Sequence, residues 1–249
     1  MVKFIILFQG RTGSSFIRDR LYGCSRIKID GEVFSIDAQR CFKETDAWTK
    51  RLKLEYTQGV QYKYLQELVD FKHPDILACG VKTKFKDVVL HPSYFFTFIE
   101  ENQIRVIHSY RENFIKHAVS RINAERIFAR DNCWNLWGNQ SPLEPLHVNI
   151  PVFDAHLQSV EWDAAVIRVF LQDIRTPVFP LPYENLVGDE DAVFRSIFDF
   201  IEVPYEVTPV TIKKATPDNL RLALENYDEV RAFYAGTKYA SMLDEGAGG

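Results

Sequence analysis

FIILFQGRTGSSFI, residues 4–17, is the stretch that decides the fold. It opens with five consecutive apolar residues, a run too short for a buried helix and typical of a strand buried on both faces. A turn with two glycines follows, and apolar residues then recur at helical spacing at Ile17, Leu21 and Cys24. The pattern therefore predicts a strand, a glycine-containing loop and a helix in direct succession.

A loop of this kind is suited to binding an anion. The N–H groups in the first turn of a helix have no acceptors within the helix, and the helix dipole favours negative charge at that end. Gly10 and Gly13 allow the backbone to approach a ligand closely. Further donors are present on Arg11, Thr12, Ser14 and Ser15. We predict a phosphate-type site here, with a plain βα turn as the alternative.

Two common phosphate loops do not fit this stretch. The Walker pattern G-x-x-x-x-G-K-[ST] would need glycine in place of Phe8 and lysine in place of Ser14. The dinucleotide pattern G-x-G-x-x-G fails because Gly10 and Gly13 are three residues apart. The lysine that reaches the β- and γ-phosphates is missing from the loop, so an ordinary ATP or GTP hydrolase is disfavoured.

A second strand–turn–helix pattern begins with IRVIHSY, residues 104–110. Arg111 lies at the turn, and Ser120 lies on the helix that the spacing of apolar residues predicts. Glu32 follows a short predicted strand around Ile27 and Ile29. The carboxyl ends of parallel strands form the ligand crevice of α/β sheets, so we expect Glu32 to face the loop at Gly10. The alternative is a solvated glutamate.

Other segments carry weaker signals. Spacing and turn residues predict a strand near 76–85, helices near 59–71, 92–101 and 154–173 (N-cap Asp154), a strand at 178–181, a helix from 189 to Pro204, and a last helix with Ala223, Tyr227, Val230 and Tyr234 on one face. Residues 35–58 are predicted to be irregular and mobile. Residues 127–153 are predicted to form a loop whose Trp134 and Trp137 either bind an acceptor or only pack.

Composition narrows the class of protein. The chain has 249 residues, 46% of them hydrophobic, and a net charge of −4, which gives no general nucleic-acid footprint. Its four cysteines are widely spaced and its six histidines lack metal-ligand spacing, so we expect reduced thiols, a cytoplasmic location and no metal. We expect no signal peptide and no membrane span. One domain is predicted over residues 1–243, with a disordered tail at 244–249.

Residues Gly10–Phe16 resemble the 5′-phosphosulfate loop of sulfotransferases that use 3′-phosphoadenosine-5′-phosphosulfate (PAPS). Arg111 and Ser120 resemble the residues that bind the 3′-phosphate in the same family. Tyr-Glu-Asn-Leu at 183–186 resembles the C-terminal half of the sulfotransferases, and Asn-Tyr-Asp-Glu-Val at 226–230 is similar to a stretch of the nodulation-factor and related carbohydrate sulfotransferases. The overall pattern resembles the bacterial carbohydrate sulfotransferases of the nodulation-factor and trehalose type. The resemblance implies an α/β fold with a mainly parallel central sheet flanked by helices, of the P-loop nucleotide hydrolase-like (sulfotransferase) architecture.

The resemblance also implies a reaction: transfer of a sulfuryl group from PAPS to an acceptor hydroxyl, leaving 3′,5′-ADP and requiring no metal. Arg11 would stabilise charge on the bridging oxygen. The 5′-phosphosulfate would be held by Gly10, Arg11, Thr12, Gly13, Ser14, Ser15 and Phe16. The 3′-phosphate would be held by Arg111 and Ser120, with help from Lys213 or Lys214, and Tyr183 would lie near the adenine.

The general base remains open between two residue types. The bacterial carbohydrate enzymes use a glutamate shortly after the first helix, and Glu32 occupies that place; His108 and His117 are weaker candidates. By resemblance alone, the acceptor is a carbohydrate or glycolipid hydroxyl or another small molecule. The alternatives are a small-molecule kinase with a degenerate phosphate loop and a nucleotide-binding regulator without catalysis. No oligomeric state is predicted.

Overall fold

The computed structural model describes residues 1–35, 47–137 and 140–244. The chain divides into two compact units. The sheet unit comprises Met1–Tyr110 and Ile167–Pro209, and the helical unit comprises Arg111–Val166 and Val210–Gly249. A single domain over 1–243 stays a prediction, and the predicted disordered tail lies, beyond Asp244, outside the described residues.

The secondary structure follows the alternation that the sequence predicts. The strands are β1 (Val2–Phe8), β2 (Ile27–Asp30), β3 (Ala78–Lys84), β4 (Arg105–Tyr110), β5 (Leu136–Trp137), β6 (Val178–Pro182) and β7 (Ile212–Lys213). The helices are α1 (Ser14–Tyr22), α2 (Ala47–Asp70), α3 (Pro92–Glu101), α4 (Phe114–Asp131), α5 (Ile150–Gln172), α6 (Tyr183–Gly188), α7 (Glu190–Phe200), α8 (Leu220–Ala223), α9 (Tyr227–Phe233) and α10 (Ala240–Asp244).

The sheet unit is built on a parallel sheet that has five strands in the described part of the chain, in the order β2-β3-β1-β4-β6. Helices cover both faces. On one face, Phe4, Ile6 and Phe8 of β1 pack with α1 and α7. On the other, Ile5 and Leu7 pack with α2 and α3. This alternation follows from the two-residue period of a strand, and it confirms the predicted α/β fold with a mainly parallel sheet.

The helical unit has a core of its own. Ile115, Ala118 and Val119 of α4 pack with residues of α5, α8, α9 and α10. Two short strands of the unit, β5 and β7, pair antiparallel with each other. The structure also describes free thiols at Cys24, Cys79 and Cys133; Cys41 lies outside the described residues. None of the described helices combines the length and apolarity needed to cross a membrane.

Helix α2 begins at Ala47, twelve residues before the predicted start, so the prediction of an irregular segment is wrong for residues 47–58. Gly59 lies inside this helix. A glycine there costs only about 1 kcal/mol relative to alanine, which the surrounding helix formers and tertiary packing outweigh. The rest of the predicted segment, residues 36–46, lies outside the described residues.

Helix α5 begins at Ile150, so Asp154 is not its N-cap. The carboxylate of Asp154 instead accepts hydrogen bonds from Tyr234 Oη (3.0 Å) and Gln158 Nε2 (2.6 Å). The predicted loop at 127–153 is correspondingly shorter, because α4 continues to Asp131. A side chain predicted to cap a helix is here a tertiary hydrogen-bond partner.

The predicted last helix, defined by Ala223, Tyr227, Val230 and Tyr234, is divided into two short helices, α8 and α9, and α10 follows them. Leu224 interrupts the first two: its backbone is extended (φ −116°, ψ 124°), and it forms a parallel bridge with Leu146. Asn226 adds to the break, because its side-chain amide accepts from the Val148 N–H and donates to the Val148 carbonyl, both at 3.0 Å. The predicted apolar face is nevertheless buried throughout, at Ala223, Tyr227, Val230 and Tyr234.

Candidate active site

The loop between β1 and α1 is tied to itself and to the next strand. Thr12 is completely buried, and its Oγ1 donates to the Gln9 carbonyl (2.9 Å). Ser109 of β4 donates from its Oγ to the Thr12 carbonyl (2.7 Å). Thr12 therefore holds the loop in shape with its side chain and carbonyl, and its backbone N–H is the group that fits the predicted binding role.

Gly13 satisfies two requirements that another residue would not. It is the N-cap of α1 in the left-handed conformation, with φ at 84°. A Cβ there would lie 2.9 Å from Cδ2 of Tyr183 and 3.2 Å from Cδ2 of Leu186. The Tyr183 ring, predicted near the adenine, thus packs on the loop. Gly10 differs, because a Cβ at that position meets no atom within 4 Å.

The start of α1 carries a positive potential that the helix itself does not neutralise. The first turn has no acidic residue, and the N-cap is a glycine. Arg11 precedes it in a left-handed conformation (φ 74°), which costs a non-glycine residue about 1–3 kcal/mol. Such strain is concentrated at ligand clamps and active sites. The loop is therefore a good receptor for an anion.

Glu32 is connected to this loop through a lysine. Lys82 Nζ lies 3.0 Å from Glu32 Oε1 and donates to Ser15 Oγ at 2.9 Å. Lys84 Nζ lies 2.6 Å from the other carboxylate oxygen of Glu32, and 3.9 Å from Asp87 Oδ2. The structure thus brings Glu32 and Ser15, both predicted site residues, to a common partner.

Burial and charge oppose each other in this cluster. Burial alone raises the pKa of Glu32, but Lys82 and Lys84 outweigh it and hold the pKa below its ordinary value. Lys82 is only 5% exposed, and burial lowers its pKa against the opposing effect of Glu32. Glu32 is therefore an ionised carboxylate at neutral pH, able to accept a proton.

Lys82 and Lys84 are the site residues that the sequence prediction missed. They lie two apart in β3, so both side chains project from the same face of the sheet. A usable signal was present: lysine is almost never buried without a partner, yet Lys82 lies within a strand that reads as a core strand. Its Nζ also lies 5.0 Å from the centre of the Phe8 ring.

The two histidine alternatives belong one to each unit, His108 to the sheet unit and His117 to the helical unit. In the sheet register, His108 is level with Leu7, whereas Lys84 and Ser109 are both level with Phe8. His108 thus projects from the face opposite to Lys84, where it stacks on Tyr110. Burial, together with the nearby Arg168, lowers the pKa of His108 to about 4. His117 is completely buried in α4 of the helical unit.

The residues predicted for the 3′-phosphate belong to the helical unit. Arg111 and Ser120 are both mostly buried, and Ser120 lies on α4. One turn further, Asn123 Nδ2 donates to Thr216 Oγ1 (3.2 Å). Thr216 lies two residues after Lys214 in the chain, so this bond holds the segment that carries Lys213 and Lys214 against the helix that carries Ser120. Lys214 forms an ion pair with Asp218.

Two exposed tryptophans follow α4. Trp134 is 52% exposed and stacks on Phe128 with 4.4 Å between ring centres, and Trp137 is 42% exposed. Their role toward an acceptor stays a prediction. Within residues 1–35, 47–137 and 140–244, no group of three or more His, Cys, Asp or Glu side chains is arranged to hold a metal ion.

No protein-family model matches the chain, and no curated protein matches it. Solved structures do. A sulfotransferase from Alicyclobacillus acidocaldarius aligns over 98% of this chain and 94% of its own, with 19% identity and a TM-score of 0.51. The sulfotransferase domain from the curacin biosynthetic pathway aligns over 83% and 76%, with 17% identity and a TM-score of 0.46. The sulfotransferase domain of the Synechococcus PCC 7002 olefin synthase aligns over 98% and 87%, with 17% identity and a TM-score of 0.38.

The first of these likenesses defines the fold. The sheet of parallel strands, the helices on both of its faces and the glycine-containing loop after β1 form a P-loop-like sulfotransferase fold. At 19% identity this likeness establishes the architecture alone, and the activity has to be argued from the side chains of the site.

Proposed function

We propose that this chain is a cytoplasmic PAPS-dependent sulfotransferase that moves a sulfuryl group to an acceptor hydroxyl, with Glu32 as general base. The observation that carries the proposal is the chain of contacts from Glu32 through Lys82 to Ser15. It joins an ionised carboxylate, a buried cation and a hydroxyl at the positive end of α1. A proton acceptor beside an anion receptor is what sulfuryl transfer to a hydroxyl requires.

The residues present fit the donor substrate. The N–H groups at the start of α1, the Ser15 hydroxyl, Arg11 and Lys82 suit the charged oxygens of a phosphosulfate. A second phosphate group would suit Arg111 and Ser120, with Lys213 or Lys214. The adenine ring of the donor would suit Tyr183. When bound, PAPS supplies an activated sulfuryl group on a good leaving group. No metal is needed in this scheme, because the donor groups are the chain's own.

The chemistry divides among three side chains. Glu32 takes the proton of the acceptor hydroxyl while the hydroxyl oxygen forms the new bond to sulfur. The bond between sulfur and the bridging oxygen breaks in line with it, and the electron pair leaves with 3′,5′-ADP. Arg11 and Lys82 stabilise the negative charge that develops on the bridging oxygen. Positioning and charge stabilisation dominate such transfers.

A small-molecule kinase is the second candidate, and one observation favours it. The missing Walker lysine argued against a kinase, but Lys82 brings an ammonium group to Ser15 from the neighbouring strand. The loop therefore has a lysine beside it, although this lysine belongs to β3 and not to the loop itself. The two classes differ in the nucleotide they bind, since only the sulfotransferase has use for a 3′-phosphate.

A thermal-shift comparison separates these candidates. A ligand that binds only the folded protein raises its melting temperature. We expect 3′,5′-ADP to stabilise the protein more than ADP or ATP with Mg²⁺. Stabilisation by ATP with Mg²⁺ and none by 3′,5′-ADP would overturn the proposal in favour of the kinase.

The substitution Glu32→Gln then separates an enzyme from a non-catalytic nucleotide-binding protein. General bases contribute about 10²–10⁴-fold to rate. We expect sulfuryl transfer to fall by about that factor while 3′,5′-ADP binding survives.

The acceptor class is tested by comparing the rates of sulfuryl transfer to a panel of carbohydrates and glycolipids with the rates to simple phenols. The proposed carbohydrate or glycolipid acceptor rests on the sequence resemblance and on the exposed side chains of Trp134 and Trp137.

A further inference from the structure

Gln61 of α2 is a fully buried polar side chain whose hydrogen-bonding groups are all used. It is 0% exposed. Its Nε2 donates to the carbonyls of Phe34 (3.0 Å) and Asp87 (2.6 Å), and its Oε1 accepts from the N–H of Val89 (3.0 Å). One amide therefore satisfies three backbone groups that belong to two separate segments of the sheet unit.

These two segments carry the charged cluster of the site. Phe34 lies two residues after Glu32, in a tight turn in which the Glu32 carbonyl accepts from the Ser35 N–H at 3.1 Å. The Phe34 ring is completely buried in the core, so its carbonyl has little freedom to move. Asp87 and Val89 follow β3, whose end supplies Lys84.

We infer that Gln61 is a positioning residue for Glu32: it fixes the Glu32 turn to the segment after β3, and so holds the carboxylate between Lys82 and Lys84. The catalytic part of this inference rests on the proposed function. Glutamine suits the task because its amide has two donor hydrogens and an acceptor oxygen. An apolar residue would leave these three backbone groups without their partner, two of them on the buried residues Phe34 and Asp87, and the two segments would separate to reach water.

Gln58 provides a matched control on the same helix. It lies one turn earlier, and its Nε2 donates to the Val89 carbonyl at 3.2 Å. Replacing Gln58 therefore removes a bond from α2 to the segment after β3 and leaves the bond to Phe34 in place. Gln61→Met and Gln58→Met compare side chains of similar length on one helix, and differ in whether the Glu32 turn is released.

The first measurement is the pKa of Glu32, followed by carbon-detected NMR titration of its carboxyl group. The charges that set it are Lys82 and Lys84 directly, and Arg18 and Asp87 through those lysines. We expect the pKa of Glu32 to rise in Gln61→Met, because the carboxylate moves away from the ammonium groups, and to stay unchanged in Gln58→Met. An unchanged pKa in both variants would overturn the inference.

The second measurement is steady-state sulfuryl transfer. We expect Gln61→Met to lower kcat by about tenfold or more and to leave the KM for PAPS within about threefold, whereas Gln58→Met keeps both. Wild-type kcat in Gln61→Met would overturn the catalytic part. If the pKa of Glu32 shifts but the wild-type protein transfers no sulfuryl group, the proposed function fails and the positioning role stands.

Stability of the variant is controlled within the same helix. If Gln61→Met unfolds, both variants are remade with Gly59→Ala, since a Cβ at Gly59 meets no atom within 4 Å and alanine stabilises a helix interior relative to glycine. The pKa comparison then proceeds in folded proteins.

Discussion

Helices α1 and α4 each follow a strand through a short turn, and their N-termini are built differently. Helix α1 has Gly13 as its N-cap, so no side chain competes for the N–H groups of its first turn. Helix α4 has Asn113 as its N-cap, and the Asn113 side chain accepts from the Lys116 N–H at 2.9 Å. The first N-terminus offers backbone donors to a ligand, and the second uses its own side chain for one of them.

The difference indicates two ways of holding an anion in one protein. At α1 the proposed ligand is bound largely by backbone, which depends on the left-handed conformation of Gly13 and on Lys82 beside Ser15. At α4 the proposed ligand has to be bound by side chains, Arg111 and Ser120. A site made of backbone N–H groups loses its affinity for the anion when the backbone conformation changes. A site made of side chains loses affinity in steps, as each side chain is removed.

The largest effect is expected from breaking the backbone site. Gly13→Ala places a Cβ 2.9 Å from Tyr183 in a residue with φ at 84°. We expect a loss of at least about 2 kcal/mol of unfolding free energy, loss of 3′,5′-ADP binding, and a fall in sulfuryl transfer of roughly a hundredfold or more. Gly10→Ala, where a Cβ meets nothing, is the control in the same loop. Thermal melts and initial rates measure both, and equal effects at the two glycines would contradict the backbone mode.

A smaller and more selective effect is expected at the side-chain site. Arg111→Met removes the charge-assisted hydrogen bonding of the guanidinium, and the loss of one such bond, about 1.5–3 kcal/mol, should make 3′,5′-ADP bind roughly 10- to 150-fold more weakly. ADP, which lacks the 3′-phosphate, should bind as before. Isothermal titration of both nucleotides gives the ratio of their affinities, which a general loss of folding does not change. A parallel loss for ADP would remove Arg111 from the 3′-phosphate site.

The pH dependence tests the charged cluster beside α1. Lys84→Met removes one of the two cations that lower the pKa of Glu32, so that pKa should rise and the acid limb of the kcat/KM profile should move to higher pH. Because the folded-state pKa of Glu32 is lowered, its ionisation stabilises the wild-type fold above the unfolded-state pKa, and this stabilisation is lost as the pH falls through the folded-state pKa. The variant should therefore show a weaker loss of stability on acidification. Rate profiles and melts from pH 3 to 8 would contradict the assignment if both stayed at their wild-type positions.

The smallest effect is expected at the cap of α4. Asn113→Ala removes the cap and also the bond from Nδ2 to the Met242 carbonyl (2.7 Å). We expect a loss of about 1 kcal/mol in unfolding free energy and little change in 3′,5′-ADP affinity. Asn113→Asp keeps the capping acceptor and should recover part of the loss. A large fall in affinity would mean that the α4 N-terminus itself binds the anion.

What the sequence predicted correctly is local. The run of apolar residues in β1, the turn after it and the helical spacing of Ile17 and Leu21 each lie within a few neighbouring residues, so periodicity alone locates them. The same holds for β4 and for α3, whose predicted bounds at 92–101 are those observed. The parallel order of the strands then places the loop at the carboxyl edge of the sheet.

What the sequence did not predict depends on distant partners. Lys82 belongs to the candidate site because it contacts Ser15 and Glu32, and these contacts exist only because β3 pairs with both β1 and β2. The break at Leu224 likewise depends on Leu146. No window of neighbouring residues contains this information, which is why a single helix was predicted where α8 and α9 are separate.

Lys82 and Lys84 also have a consequence for how β3 finds its place. The sequence of a central parallel strand that is buried on both faces is apolar almost throughout. It therefore does not by itself determine which side chains should face which layer of helices. The two lysines remove this ambiguity, because a slip of one residue in pairing would turn both ammonium groups toward the opposite core of Leu65, Phe95 and Ile99. The register in which Ile6 is level with Lys82 and Phe8 with Lys84 is the one that leads both charges to Glu32. Residues proposed for chemistry thereby also specify the alignment of the sheet.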